Sequence, residues 1–269
     1  MIRKTAFIIG LLILSDATKS WSGDRKFVEI KSFKAKEAKQ GVAVDDNYIY
    51  AISNRQIGKY DKKTFEFIAS WIGKEDGPII HLNGGSVIDG KLYCAHSNYP
   101  KIPMVSSVEI WDVETLEHIG NHSFGIHWGS CTWVDRHDGY WWAGFAQYEK
   151  WKYKTGKGSE WTTVVKFDDS WRSLGGWVFP DTVIQRMRPM SNSGGSWGPD
   201  GFLYCTGHDH PEVYVFQIPD QGSVLDLIET VPLAVFGESI SWDRFKKDII
   251  YGIRKKKREV VISRFIKEK

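Results

Sequence analysis

Histidine placement carries the first chemical signal in this chain. Of its eight histidines, His81, His96, His127, His208 and His210 fall in or beside polar loop segments, whereas His118, His122 and His137 lie elsewhere. Neutral imidazoles converging from several loops could hold a zinc ion, which takes three or four nitrogen, sulfur or oxygen ligands. His81, His208 and His210 are the candidate ligands. Alternatively, one imidazole could work as a general acid or base near its ordinary pKa. His127 and His208 are the candidates for that role, with Glu238 as the acid/base carboxylate. His208-Asp209-His210 sets two imidazoles around one carboxylate, with Pro211 directly after. A third reading keeps all of these as ordinary polar loop residues.

The same segments are poor in acids. Glu238, Asp209 and Glu149 are the carboxylates there, and glycoside hydrolysis normally needs two at a set separation. A conventional glycosidase is therefore disfavoured. Arg55, Lys101, Arg186, Arg188 and Arg254 supply positive charge. Guanidinium groups hold carboxylates, sulfates or phosphates through paired hydrogen bonds, so an anionic ligand is expected. Gln40, Asn54, Asn83 and Asn192 add amides, and Tyr99, Trp128, Phe145 and Tyr148 could wall a sugar or ring. Asn83, Asn192 and Glu238 would also make an oxygen set for calcium, as in a calcium-dependent, lactonase-like hydrolase.

Side chains so far apart in sequence converge only if a repeating scaffold brings them together. Five copies of one pattern run through the chain: a Gly-rich segment, a turn, a strand with a fixed aromatic, and a polar loop. They begin at Gln40-Gly41-Val42, Asn83-Gly84-Gly85, Gly129-Ser130-Cys131, Ser193-Gly194-Gly195 and Gly237-Glu238-Ser239. Asp-Gly pairs at 89–90, 138–139 and 200–201 suit tight turns that need positive φ. A third strand ends in an aromatic-acid pair (Tyr60-Asp61, Trp111-Asp112, Phe167-Asp168), and a fourth follows. A period of roughly 40 to 60 residues built from short strands marks a β-propeller.

The predicted fold is all-β, a five-bladed β-propeller with four-stranded blades. Repeat five stops after its third strand, Glu259 to Phe265, and Lys26 to Phe33 precedes repeat one. Pairing that N-terminal strand into the last blade closes the ring and removes exposed edges. In this geometry the loops leading into each inner strand, and those joining second to third strands, share one face. The residues singled out above lie on them, at the mouth of the central channel.

The N-terminus reads as a secretory signal peptide over residues 1–20. A basic start, Met1 to Lys4, precedes an apolar run, Ala6 to Leu14, too short to span a bilayer. Residues 21–269 form a single propeller domain in this reading. The protein is expected in a periplasm or outside a cell, as a monomer without a membrane span once the signal is cleaved. Cys94, Cys131 and Cys205 do not make a disulfide framework; they read as buried small hydrophobes, with a Cys94–Cys131 bridge the alternative. The net charge of +3 does not call for nucleic acid, and the run Arg254 to Arg258 reads as a solvated turn.

The opening Gln40-Gly41-Val42-Ala43-Val44, with Tyr60-Asp61 and Thr64 downstream, resembles the repeats of glutamine cyclotransferases (glutaminyl cyclases). These are secreted five-bladed propellers that cyclise an N-terminal glutamine. The chain matches the family's Gln-Gly pair at Gln40-Gly41 and its Gly-Glu-Gly-like segment at Gly237-Glu238-Ser239. The resemblance implies a five-bladed fold and, for chemistry, cyclisation. The run at 194–201 and His208-Asp209-His210-Pro211 stand outside the family pattern.

The expected function is a secreted enzyme acting on a small or anionic substrate at the channel mouth. Cyclase, lyase or hydrolase chemistry fits, with Glu238, His127 and His208 as acid/base groups. Gln40, Asn54, Arg55, Asn83, Tyr99, Trp128, Arg186, Arg188 and Asn192 would contact the substrate. The alternative is a non-catalytic propeller binding a small molecule, glycan or peptide. The mouth residues differ from blade to blade, which favours one asymmetric site over a repeated lectin-like one.

Overall fold

The structure is a computed structural model that describes residues 25–267. The expected signal peptide, residues 1–20, lies outside the described residues. The described chain opens with β1 (Arg25–Lys34), which belongs to the last blade. Blade 1 follows as β2 (Gly41–Val44), β3 (Tyr48–Ser53), β4 (Gln56–Asp61) and β5 (Phe67–Ile72). Blade 2 is β6 (Leu82–Ile88), β7 (Lys91–Ser97), β8 (Ser106–Asp112) and β9 (His118–Gly125).

Blade 3 contains β10 (Ser130–His137) and β11 (Tyr140–Ala146), then a short helix α1 (Lys152–Thr155) before β12 (Thr163–Phe167) and β13 (Ser173–Val178). A second helix, α2 (Asp181–Met187), leads to blade 4: β14 (Gly194–Trp197), β15 (Leu203–Thr206), β16 (Glu212–Gln217) and β17 (Asp226–Pro232). Blade 5 is β18 (Ser241–Trp242), β19 (Ile249–Arg254), β20 (Glu259–Lys267) and β1. Five four-stranded antiparallel sheets thus make the propeller that the repeats predict.

Ring closure follows the expected route. β1 runs antiparallel to β20, from Lys34 opposite Glu259 to Arg25 opposite Lys267, with a bulge between Glu29 and Lys31. Phe27 on this strand packs against Tyr204, Trp242 and Phe265 at ring-centre distances of 6.1, 5.9 and 5.5 Å. The closing strand therefore also covers the seam between blades 4 and 5.

The core is divided among the seams. Trp133 and Trp142 of blade 3 pack with Trp197 and Leu203 of blade 4. Comparable clusters join blades 5 and 1, 1 and 2, 2 and 3, and 4 and 5. Trp111, Trp133, Trp142, Trp197 and Trp242 fill this role, and all three cysteines are free and buried. The Cys94–Cys131 bridge is not formed. Burial raises the Cys94, Cys131 and Cys205 thiols, which keeps them uncharged.

The repeated sequence signatures prove to be turn chemistry. Asp89-Gly90 and Asp138-Gly139 all have positive φ, as a type I′ hairpin turn requires. In the aromatic-acid pairs the aspartate closes the next turn. Asp61 Oδ1 accepts from the Lys63 and Thr64 amides at 2.8 and 2.7 Å, and Asp112 Oδ1 accepts from those of Glu114 and Thr115 at 2.9 Å each. These amide donors favour the charged carboxylate and lower both pKa values. Among the described residues no helix is long and apolar enough to cross a membrane.

Candidate functional site

Five blades leave a narrow axis, and the Gly-rich inner strands meet there. A Cβ on Gly41 would come within 2.9 Å of the Gly84 Cα and 3.0 Å of the Ser239 Cβ. One on Gly84 would strike the Ser239 side chain, and one on Gly194 would lie 2.6 Å from the Ser239 Cα. Backbones from blades 1, 2, 4 and 5 approach so closely that a side chain does not fit between them. The mouth above this collar is consequently a floored depression. Two clefts open from it on either side of the turn at residues 255–258.

The first cleft, about 730 Å³, lies between the loops of blades 1 and 2. Gln40 precedes β2 and Asn54 follows β3, so the antiparallel pairing sets them side by side. The Gln40 amide donates to Asn54 Oδ1 at 2.6 Å. Arg55, His81 and Tyr99 line the same space, with Lys39, Lys101 and Arg258. The His81 ring lies 4.9 Å from the Tyr99 ring, and the Tyr99 hydroxyl accepts from Lys150 at 2.9 Å. Burial pushes the His81 pKa down to about 4, with His96, Lys255 and Lys39 adding to the effect. This imidazole is neutral near pH 7. Its neighbour His96 accepts the Ile80 amide at 3.1 Å and contacts the Ser107 hydroxyl at 2.9 Å, so it braces the loop that carries His81.

The second cleft, about 390 Å³, lies between blades 4 and 5. His208 and Asp209 come from the loop after β15, Glu238 from the loop before β18, and Lys255 from the turn after β19. Phe236 and Ala234 supply an apolar wall. The Glu238 carboxylate accepts from the Lys255 ammonium at 2.7 Å, and His208 Nε2 stands 3.9 Å from the same oxygen. His208 Nδ1 is 2.6 Å from Asp209 Oδ1, which orients the ring with Nε2 towards Glu238. Burial raises the Glu238 pKa to about 6, although Lys255 and His208 pull the other way. A carboxyl poised there can exchange a proton near neutrality.

Several sequence candidates fall outside these clefts. His127 is exposed, and its carbonyl accepts from Lys157 at 3.3 Å. Trp128 packs against Phe145 and Phe167 at 5.8 and 6.3 Å, as part of the blade 3 interior. The Asn83 amide donates to the Cys131 carbonyl at 3.0 Å, tying blade 2 to blade 3. Asn192 accepts the Trp133 indole N–H at 2.6 Å and donates to Gly194 and Thr206 carbonyls at 2.8 and 3.0 Å. Neither asparagine lines the cleft that holds Glu238, so the calcium set is corrected: Asn83 and Asn192 serve as interstrand ties.

The zinc and arginine expectations are corrected as well. His81 sits in one cleft and His208 in the other, while His210 lines neither. Among the described residues no three His, Cys, Asp or Glu side chains are grouped to hold a metal ion. Arg186, on α2, makes a two-pronged pair with Glu212 at 2.9 and 3.0 Å. Arg188 pairs with Glu149 and Glu160 at 3.5 Å each, and Arg254 with Glu29 and Glu259 at 2.7 and 2.9 Å. Of the four arginines expected to ring the mouth, Arg55 alone keeps its charge uncommitted among the described residues. The sequence reading missed Lys255 as the partner of Glu238 by taking 254–258 for a solvated turn. The alignment of repeats carried the signal, since Lys255 follows the second strand of its blade as Arg55 does in blade 1.

No protein-family model matches the chain. No curated protein matches it either. Solved structures do. A luciferin-regenerating enzyme is similar with a TM-score of 0.56 and 10% identity, over 90% of this chain and 95% of that one. The PQQ-bound form of an aldose sugar dehydrogenase from Streptomyces coelicolor gives 0.53 and 10%, over 90% and 98%. Hydrazine synthase of Kuenenia stuttgartiensis gives 0.51 and 11%, over 85% and 84%. At such identities the likeness carries the propeller fold and no chemistry.

Proposed function

We propose that the protein is a proton-transfer enzyme for a small carbonyl-containing substrate, working in the cleft between blades 4 and 5. The observation that carries this reading is the juxtaposition of buried Glu238 with Lys255 at 2.7 Å and the Asp209-oriented His208 at 3.9 Å. Glu238 takes or returns the proton, and His208 is the second proton carrier. Lys255 holds the carboxylate while it is charged, and its ammonium is placed to stabilise negative charge developing on a substrate oxygen. Phe236 offers the apolar surface on which the carbon skeleton rests.

Cyclisation, elimination and ester or lactone hydrolysis all use such a set. The glutaminyl-cyclase resemblance, carried by Gln40-Gly41 and Gly237-Glu238-Ser239, favours cyclisation. Export from the cytoplasm goes with this reading, on the strength of the basic start and the apolar run 6–14.

A three-substrate panel tests the proposal: an N-terminal glutaminyl dipeptide (ammonia release), a γ-lactone (acid release) and a β-hydroxy acid (loss of water). One class should be turned over, and Glu238→Gln should lower kcat/KM by about 100-fold or more. Turnover unchanged in that variant, or none with any of the three, overturns the assignment.

A further inference from the structure

The cleft between blades 1 and 2 has a charge pattern of its own. Its lining includes Lys39, Arg55, Lys101 and Arg258, and among the described residues contains no Asp or Glu. The arginines elsewhere on this face are paired with acids, Arg186 with Glu212, Arg188 with Glu149 and Glu160, and Arg254 with Glu29 and Glu259, and Lys255 is paired with Glu238. Within the cleft, Arg258 donates to the Lys36 carbonyl. The Lys39 and Lys101 ammonium groups and the Arg55 guanidinium make no hydrogen bond or ion pair among the described residues. Folding has gathered like charges around one concavity without supplying counter-charge. Such an arrangement repels itself and is relieved by a bound anion.

The floor makes the cleft more than a basic patch. Gln40 is buried and its amide is fixed on Asn54 at 2.6 Å, so the polar floor is ordered before any ligand arrives. His81 is flanked by Tyr99, which gives a flat wall beside the cations. We infer that this cleft binds a small polyanion, an organic or inorganic molecule with two or more carboxylate, sulfate or phosphate groups. Arg55 would grip one group through its planar fork, while Lys39 and Lys101 neutralise the other. A single carboxylate would leave most of the cleft's charge unmatched. The inference stands apart from the Glu238 chemistry, because it concerns different residues in a different cleft.

Isothermal titration of the whole protein at low ionic strength tests it, with citrate and pyrophosphate as probes and glucose as the neutral comparison. At least one polyanion should bind, with glucose silent, and affinity should fall as salt rises. Tighter citrate assigns the site to polycarboxylates and tighter pyrophosphate to phosphates. Arg55→Ala combined with Lys101→Ala should weaken binding about tenfold or more, the loss expected for charge-assisted hydrogen bonds. Lys91→Ala, an exposed lysine beside the Asp89-Gly90 turn on the opposite face, should change nothing. Neither altered side chain has a hydrogen-bond or ion-pair partner among the described residues, so thermal melting of the double variant should match the parent. Equal affinity in the double variant and the parent, or no preference for either polyanion over glucose, overturns the proposal.

Discussion

The Glu238 carboxylate lies 2.7 Å from the Lys255 ammonium, yet its pKa is raised to about 6. Burial outweighs the adjacent cation, because a carboxylate taken out of water loses more than one partly exposed lysine returns. The consequence for stability has a definite sign. A raised folded-state value means stability is fully present below the ordinary value of 4.5 and is lost as pH rises through about 6. The ionised group then costs on the order of 2 kcal/mol. Glu238→Gln should therefore be more stable than the parent at pH 8 and show little gain at pH 4. Urea unfolding at the two values checks this; an equal difference at both contradicts it.

His81 works in the opposite sense. Its pKa is lowered to about 4, by burial first and then by His96, Lys255 and Lys39. Stability held above the ordinary 6.5 is lost as pH falls towards 4. The loss attributable to this residue is up to about 3 kcal/mol. Replacing His81 with Gln, which has no proton to take up, should flatten the melting temperature between pH 6.5 and 4. An unaltered acid slope would show that other groups set it.

The axial collar predicts a steric defect with a specific rescue. Gly84→Ala brings a methyl against the Ser239 side chain and to 3.2 Å from the Thr132 carbonyl. Overpacking of this kind costs about 1–3 kcal/mol. Adding Ser239→Gly removes one of the two obstacles and should restore roughly half of the loss. A double variant no better than the single would place the strain elsewhere.

Ring closure gives a fourth stability test. Phe27→Ala removes the aromatic that contacts Tyr204, Trp242 and Phe265. Denaturant unfolding should show a loss of about 2–4 kcal/mol in one cooperative transition. Removing residues up to Phe33 should be more severe, because it bares the whole β20 edge. Native-like stability without that segment would contradict a closing role.

Fold and site were legible to different depths. The blades could be read because their marks are local: Asp-Gly turns, Asp61-type amide caps and Gly-rich inner strands each act within a few residues. Strand order in blade 5 was readable for a related reason, since a repeat short of one strand needs a partner. The site depended on which charges survive pairing, and that is set by distant residues. Arg254 meets Glu29, 225 residues away in sequence, and nothing local to Arg254 announces it. Asn83 and Asn192 show the same limit. A buried amide looks alike in sequence whether it binds a ligand or ties two strands. Glu238 was legible because it is a lone acid before an inner strand, whereas Lys255, which holds its carboxylate, was hidden in a charged run.

The most direct measurement follows the Glu238 carboxyl itself. In protein carrying 13C-labelled glutamate side chains, the resonance absent from Glu238→Gln identifies it. Its pH titration can then be set beside kcat/KM for whichever panel substrate is turned over. The account predicts a carboxyl titrating near 6 and a limb of the activity profile at the same pH. A carboxyl titrating at its ordinary 4.5, with activity indifferent to its charge, would contradict it.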